Sequence, residues 1–373
     1  MRFTIDKDQF LKGLLIAGHA IGAKTALPEL MCFKLELNEN GLDIVASNGD
    51  MSIWTLVPAA INGNEIIRNG QPGATLISAH VLTEVVRKMA GNEISFEVVD
   101  DRIAKIEDGS FSSKLNCISA DEYPDLDNEK NGVSLIVPCS ALAELCDQTA
   151  FAAFDKDTRP ILTAINLTAE AGVLTAIATN SARLSRKTIA IDPSVRFATN
   201  VPSKTLVEVT RLFEGSGEVE LVVAPKRILF SFGTTLVSSR VFDEDYPVNG
   251  SIVPTNFNYF LSVNATAFLN AIDRVSVLSR DHGTIVKLSM DEERVEVSSY
   301  SDQTGSAVER LSGVQYTGSR LDIAFNALFV TQAVKALGSS DVSLAFTAEM
   351  KPFVIRNPDD DSIVELITPM RTR

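Results

Sequence analysis

Three basic residues recur at one spacing. Arg87, Arg211 and Lys335 stand 124 residues apart, each on the polar side of an apolar pattern with helical steps. The first stretch, residues 77–89 (ISAHVLTEVVRKM), places Leu82, Val85, Val86 and Met89 on one face. Residues 201–213 (VPSKTLVEVTRLF) repeat this with Leu206, Val209, Thr210 and Phe213, and residues 325–337 (FNALFVTQAVKAL) with Val330, Ala333, Val334 and Leu337. A cation turned away from the core three times over could meet phosphates. Lys24, Lys156 and Lys204 lie on or beside the repeated helices and would add to such a surface. Aromatic residues are not interleaved with these cations, so base stacking and sequence readout are not expected. Any contact would be nonspecific and salt-sensitive. Taken singly, each cation would be part of an ordinary solvated helix face.

Other chemistry is hard to find. The chain contains no phosphate-binding glycine loop, dinucleotide fingerprint, zinc-protease helix or serine nucleophile elbow. Its three histidines, His19, His80 and His282, do not converge with acids or thiols in the sequence. Cys32, Cys117, Cys139 and Cys146 have no CxxC spacing and read as buried free thiols, so no metal or cofactor is expected. The acids at 100–101 and 359–361 read as solvated turns. A net charge of −14 opposes nucleic-acid binding unless acids and cations are segregated on different surfaces. No apolar run reaches membrane-spanning length, and the start MRFTIDKDQF carries acids where a signal peptide would need an apolar stretch. A cytoplasmic protein is expected.

The elements that must position the cations also come in threes. Each third opens with a helical pattern: Phe10, Leu11, Leu14 and Leu15 in the first; Leu142 and Leu145 in the second; Phe268, Leu269 and Ile272 in the third. Alternating strand runs follow, paired around turns at 38–41, 169–172 and 291–294. The second helix and further strands complete each unit. The steps DEYP and DEDYP mark the exits of the first two copies. A period this long indicates a duplicated domain and not a solenoid module. The expected architecture is α+β, with two-layer domains of paired helices on antiparallel sheets. The expected boundaries are 1–128, 129–254 and 255–373. Three such units in line would leave free sheet edges, which a second copy could cover head to tail, closing a ring.

Several stretches together carry a family resemblance: MRFTIDKDQFLKGL at the start, AKTALPEL at 23–30, DEYPDLD at 121–127, TRPILTAI at 158–165, ATNSARLS at 178–185, VPSKTL at 201–206, YPVNGSIVPTNF at 246–257, and MKPFVIRNPDDDSIVELITPMRTR at the end. The chain resembles the bacterial DNA polymerase III beta subunit family, the sliding clamps, over essentially its whole length. The resemblance implies a homodimeric ring of three clamp domains per protomer around double-stranded DNA, with Lys24, Arg87, Lys156, Arg159, Lys204, Arg211 and Lys335 facing the duplex. It implies a processivity factor without catalytic activity, a clamp loader, replicative and repair polymerases as partners, and association with the nucleoid. It also implies a partner-peptide pocket at Leu162, Thr179, Ser181, Arg183, Leu184, Pro247, Ile252, Asn326, Phe329, Met350, Pro352, Pro369, Met370 and Arg371. The apolar members would form a slot rimmed by Arg183 and Arg371, holding a peptide at ~micromolar strength, about −8 kcal/mol. Leu115, Val277 and Leu278 match the family's dimer contacts.

The sequence departs from the family at Asn180, Ala182, Ser203 and Ser113. The first two bear on the pocket rim and the third on the DNA-facing helix. Ser113, standing where an aromatic residue is common, is expected to make the ring easier to open. Alternative readings are a plasmid- or phage-type clamp serving a different polymerase, and an enzyme on a duplicated fold, for which the chain offers no catalytic cluster.

Overall fold

The computed structural model describes residues 1–23, 25, 27–156, 158–215, 217–247, 252–278 and 285–371. Two residues weighed in the sequence, Lys24 and His282, lie outside the described residues. Six α-helices are described: α1 (Lys7–Gly18), α2 (Ala79–Lys88), α3 (Cys139–Asp147), α4 (Ser203–Arg211), α5 (Ala265–Ser276) and α6 (Ala327–Leu337). Side chains start several of them. Asp6 accepts from the Gln9 amide at α1, Asn264 from Ala267 at α5, and Asn326 from Leu328 and Phe329 at α6. Each bond satisfies an amide that lacks a partner inside the helix. Gly338, in the left-handed region, ends α6. The expected apolar stripes are the buried ones: Leu82, Val86 and Met89 on and after α2, Leu206 and Val209 on α4, and Val330, Ala333, Val334 and Leu337 on α6. All four cysteines are buried free thiols.

The chain divides into two compact units, residues 1–140 with 208–241, and residues 141–207 with 242–373. This division falls inside the central third of the chain. The reason is strand pairing that continues from one third into the next. In the first unit, Thr235–Ser239 of the central third pair antiparallel with Thr55–Met51 of the first third, which builds a thirteen-stranded sheet. In the second unit, Arg183–Lys187 pair antiparallel with Ile367–Ile363 of the last third, within a nine-stranded sheet. Every described pairing between named strands is antiparallel.

Each unit has helices laid on its sheets. In the first, α1 packs on the strands Arg2–Asp6, Gly41–Ser47 and Met51–Pro58, and beside α2. Its core includes Phe3 stacked on Phe96 at 5.0 Å with Phe10 edge-on. In the second, α5 and α6 pack together over Phe268, Phe325, Phe346 and Phe353, all fully buried. Burying one such side chain stabilises by roughly 1.5–3 kcal/mol.

Matching hairpins sit where the pairing crosses between thirds. In the first unit, strands Gly41–Ser47 and Met51–Pro58 are joined through Asn48, whose side chain accepts from the Asp50 and Met51 amides at 3.0 and 2.9 Å. Gly49 there takes a φ of 92°, a left-handed position suited to glycine. In the second unit, strands Val173–Thr179 and Arg183–Ala190 are joined through Asn180, which accepts from Ala182 and Arg183, both at 3.0 Å. The left-handed residue there is Ser181, with φ 74°.

Candidate peptide-binding groove and nucleic-acid interface

A groove of about 530 Å³ opens in the second unit beside the Asn180 turn. Its apolar walls are Pro160, Ile161 and Leu162 from the 3₁₀ turn Pro160–Thr163, Leu184 and Leu366 from adjacent strands, and Pro247, Ile252 and Pro352 from connections. Thr179, Ser181, Thr368, Arg159, Arg183 and Glu244 add polar groups. The turn is fixed from three directions. The Thr179 hydroxyl accepts from the Ser181 amide and donates to the Arg183 carbonyl. The Tyr246 hydroxyl accepts from the Thr179 amide at 3.2 Å and donates to the Ala164 carbonyl at 3.4 Å. Tyr246 is the tyrosine of the DEDYP step, so that step braces the groove. A concave, mostly apolar slot with a few fixed polar groups suits a short apolar ligand segment.

Beneath the groove runs a buried polar stripe. Strand alternation puts Arg183, Ser185 and Lys187 on one face. Lys187 donates to Glu144 at 2.7 Å, Ser185 donates to the Gln148 carbonyl, and Arg183 donates to the Phe151 carbonyl and to Gln332. The three side chains thus tie down the segment from α3 to the 3₁₀ turn Ala150–Ala152. The Arg183 guanidinium lies 5.2 Å from the Phe151 ring centre and 4.5 Å from that of Phe329, a cation–π sandwich. Burial pushes its pKa down to about 10, opposed by the charges of Glu365 and Asp155. The Ser185 hydroxyl oxygen also lies 2.7 Å from a Glu365 carboxyl oxygen. Burial raises the Glu365 carboxyl well above the usual carboxylate range, against the Ser185 hydrogen bond and the Arg183 charge.

Eight of the fourteen expected pocket residues line this groove: Leu162, Thr179, Ser181, Arg183, Leu184, Pro247, Ile252 and Pro352. The other six do not line it. Asn326 caps α6, and Phe329 packs against the core and under Arg183. Met350 is exposed, Pro369 is buried, Met370 is half-buried and Arg371 is exposed. The segment after the last strand is anchored, because the Thr368 amide donates to Ala182 and the Met370 amide to Ala324. Arg183 corrects the sequence expectation. It was placed at the rim, but only 9% of it is exposed, because its strand register turns it under the groove. Pro160, Ile161, Glu244, Leu366 and Thr368 were missed. Their signal was adjacency, since each lies within a few residues of an expected pocket position.

Among the described residues, the expected DNA-facing cations are exposed. Arg87 pairs with Glu84 one turn earlier on α2, and Arg211 with Glu208 at 2.7 Å on α4. The same Glu208 takes the His19 ring nitrogen at 2.7 Å. Exposed pairs of this kind contribute under about 1 kcal/mol, so such cations can exchange a carboxylate for a phosphate. Lys204 and Lys335 are exposed on α4 and α6, and Lys156 is exposed in the connection after α3. Arg159 differs from the expectation: it is exposed but lines the groove. Leu115 is half-buried on the strand Ser112–Ile118. Val277 is 54% exposed at the end of α5, and the Leu278 carbonyl accepts from the Thr304 hydroxyl.

Comparison with known proteins decides the family. Models of the DNA polymerase III beta subunit match in sequence order, the N-terminal domain over residues 1–127, the central domain over 136–248 and the C-terminal domain over 250–371. The chain belongs to the DNA polymerase III beta subunit family. It is 33% identical over 377 residues to the beta sliding clamp of Bacillus subtilis, and 31% identical over 375 residues to that of Staphylococcus epidermidis, with both chains fully covered in each case. The DNA polymerase sliding clamp structure from Bacillus subtilis superposes with a TM-score of 0.96 at 32% identity. The beta chain from Streptococcus pneumoniae gives 0.95 at 28%, and both structures are fully covered. As a sliding clamp, the chain is a non-catalytic processivity subunit of DNA polymerase III. Its described architecture, few helices on large antiparallel sheets, is the three-domain clamp fold. Among the described residues, no helix is long and apolar enough to cross a membrane.

Proposed function

We propose that the groove beside the Asn180 turn receives short apolar segments of the proteins this clamp tethers, the replicative polymerase first, and repair polymerases and the clamp loader by the same site. The observation that carries this reading is the apolar slot walled by Leu162, Leu184, Leu366, Pro247, Ile252 and Pro352 and braced by Tyr246. The cations Arg87, Lys156, Lys204, Arg211 and Lys335, with Lys24, face duplex DNA without reading sequence. Two chains close head to tail into a ring, with domains bounded near 128/129 and 254/255, in the cytoplasm at the replisome. Two features support closure. The strand Ser112–Ile118 pairs with a second neighbour only at Cys117 and Ile118, leaving a free edge next to exposed Phe111. The strand Gly305–Arg310 is the edge of the four-stranded sheet and carries exposed Val308. A clamp loaded on nicked circular DNA is expected to stay bound through a high-salt wash and to leave once the circle is linearised. Equal loss from intact circles would overturn the ring.

A further inference from the structure

Two arginines of the second unit stand together without a counter-ion. Arg186, on the strand Arg183–Ala190, is registered between Ile177 and Val364. Both neighbours are buried in a small cluster with Leu184, Val354 and Leu366. Arg356, on the strand Phe353–Asn357, stands two residues past Val354. Its guanidinium lies 5.9 Å from the ring centre of Phe257, which packs on the same cluster, so both arginines emerge from one sheet face. Burial pushes the Arg186 pKa down, and the charge of Arg356 adds to the shift. Among the described residues, neither guanidinium has a hydrogen bond or an ion pair, and the Nε of each is sealed from solvent without a partner. The side chains are half-buried, and their terminal nitrogens reach solvent. On the opposite face of the same strand, Arg183 and Lys187 both have acceptors. This face continues from the groove. Leu184 and Leu366, two of its walls, stand two residues from Arg186 and Val364, about 7 Å along the strands. The segment from Ile252 to Phe257 spans the same step: Ile252 lines the groove, Val253 is buried in the cluster and Phe257 meets Arg356.

We propose that Arg186 and Arg356 form an anion site that takes a carboxylate side chain of a partner segment whose apolar part lies in the groove. The proposal rests on the groove reading above. A carboxylate matches the forked donors of a guanidinium and offsets the repulsion between two like charges. On a body of net charge −14, an acidic segment is repelled over much of the surface. The pair therefore sets where along a docked segment an acid is accepted, which is a contribution to partner choice.

The test titrates the full chain with a dye-labelled peptide copied from the clamp-binding segment of the cognate replicative polymerase. The same peptide is then used with a Gly-Glu-Glu tail at one end or the other. One of the two tails is expected to tighten binding about tenfold at low salt, the worth of one charge-assisted hydrogen bond, and less at high salt. The gain, taken as the ratio of tailed to untailed affinity within each variant, should fall towards one in Arg186→Gln and in Arg356→Gln. Arg186→Lys, which keeps the charge without the fork, should retain part of it. Arg196→Gln removes an equal charge from an exposed position before the strand Phe197–Pro202 and should preserve the gain. Neither glutamine variant at the pair should unfold more easily than the parent, because each removes a like-charge contact. A marked fall in either denaturation midpoint would show a structural arginine and overturn the site. Equal affinities for tailed and untailed peptides in the parent overturn the anion site alone. A gain kept in both glutamine variants, or lost equally in Arg196→Gln, also overturns it. An untailed peptide that fails to bind overturns the groove reading as well.

Discussion

The Asn48 and Asn180 turns are two versions of one frame. In each, a hydroxyl residue before the asparagine accepts from the residue after it: Ser47 from Gly49, and Thr179 from Ser181. In each, the strand after the turn pairs with a strand from the following third of the chain. They differ beneath the turn. The first frame places Met51, Ile53 and Thr55 where the second has Arg183, Ser185 and Lys187. Opposite Ile53 stands Val237, and opposite Ser185 stands Glu365. Ile53 and Val237 are fully buried, and Thr55 meets Thr235 hydroxyl to hydroxyl at 3.0 Å. The first stripe is largely apolar, whereas the second is charged and reaches out to hold Glu144, Gln148, Phe151 and Gln332. The polar stripe is what separates the two frames, and beside the Asn180 turn it fixes the segment leading into the groove wall.

Arg183→Ala is expected to have the largest effect on peptide binding. It leaves the Phe151 carbonyl and Gln332 without their donor, a loss of roughly 1–3 kcal/mol in chemical denaturation. Peptide binding should fall at least ~100-fold, as for a central interface arginine. Met51→Ala, at the matched place, is expected to cost about 2–5 kcal/mol by cavity formation without altering peptide affinity. A sharper variant transplants the first stripe into the second, as Arg183→Met with Ser185→Ile and Glu365→Val. Buried charges replaced by apolar groups are often neutral or stabilising by about 1–4 kcal/mol. The triple variant should therefore unfold no more easily than the parent while losing peptide binding. Retained binding would detach the groove from the stripe.

Asn180→Ala and Asn48→Ala form a smaller, matched pair. Each strands two turn amides, and each should cost about 1–3 kcal/mol. Only Asn180→Ala should weaken peptide binding. The smallest effect is on pH dependence. Glu365 binds its proton more tightly folded than unfolded, so its contribution to stability is greatest below the unfolded value near ~4 and is lost as pH rises towards the raised folded value. Denaturation midpoints measured upward from acid should fall less steeply in Glu365→Gln than in the parent. An identical slope would mean that Glu365 is ionised in the folded chain.

Much of this was legible in the sequence because it follows from periodicity. The helix stripes ending at Met89 and Leu337 are buried as their spacing required. Leu162 and Leu184, which the resemblance assigned to one pocket, line one groove. The polar stripe was not legible, for a physical reason. A charged residue beside leucine on a strand can be at a rim or beneath one, and only register decides. Glu365 did leave a signal. In IVELI it takes the alternating position of Ile363 and Ile367, both buried, so the pattern marks an acid on a core face. The resemblance placed Arg159 at the duplex, but it stands immediately before the 3₁₀ turn of the groove wall and lines the groove.

The most direct measurement is the stoichiometry of peptide binding to the intact chain, by calorimetry with the polymerase-derived peptide, in the parent and in Ile252→Ser. One site per chain at ~micromolar strength, weakened about tenfold by Ile252→Ser through lost apolar contact, is the expected result. Two equivalent sites per chain, or binding indifferent to Ile252→Ser, would contradict the assignment of docking to the Asn180 frame alone.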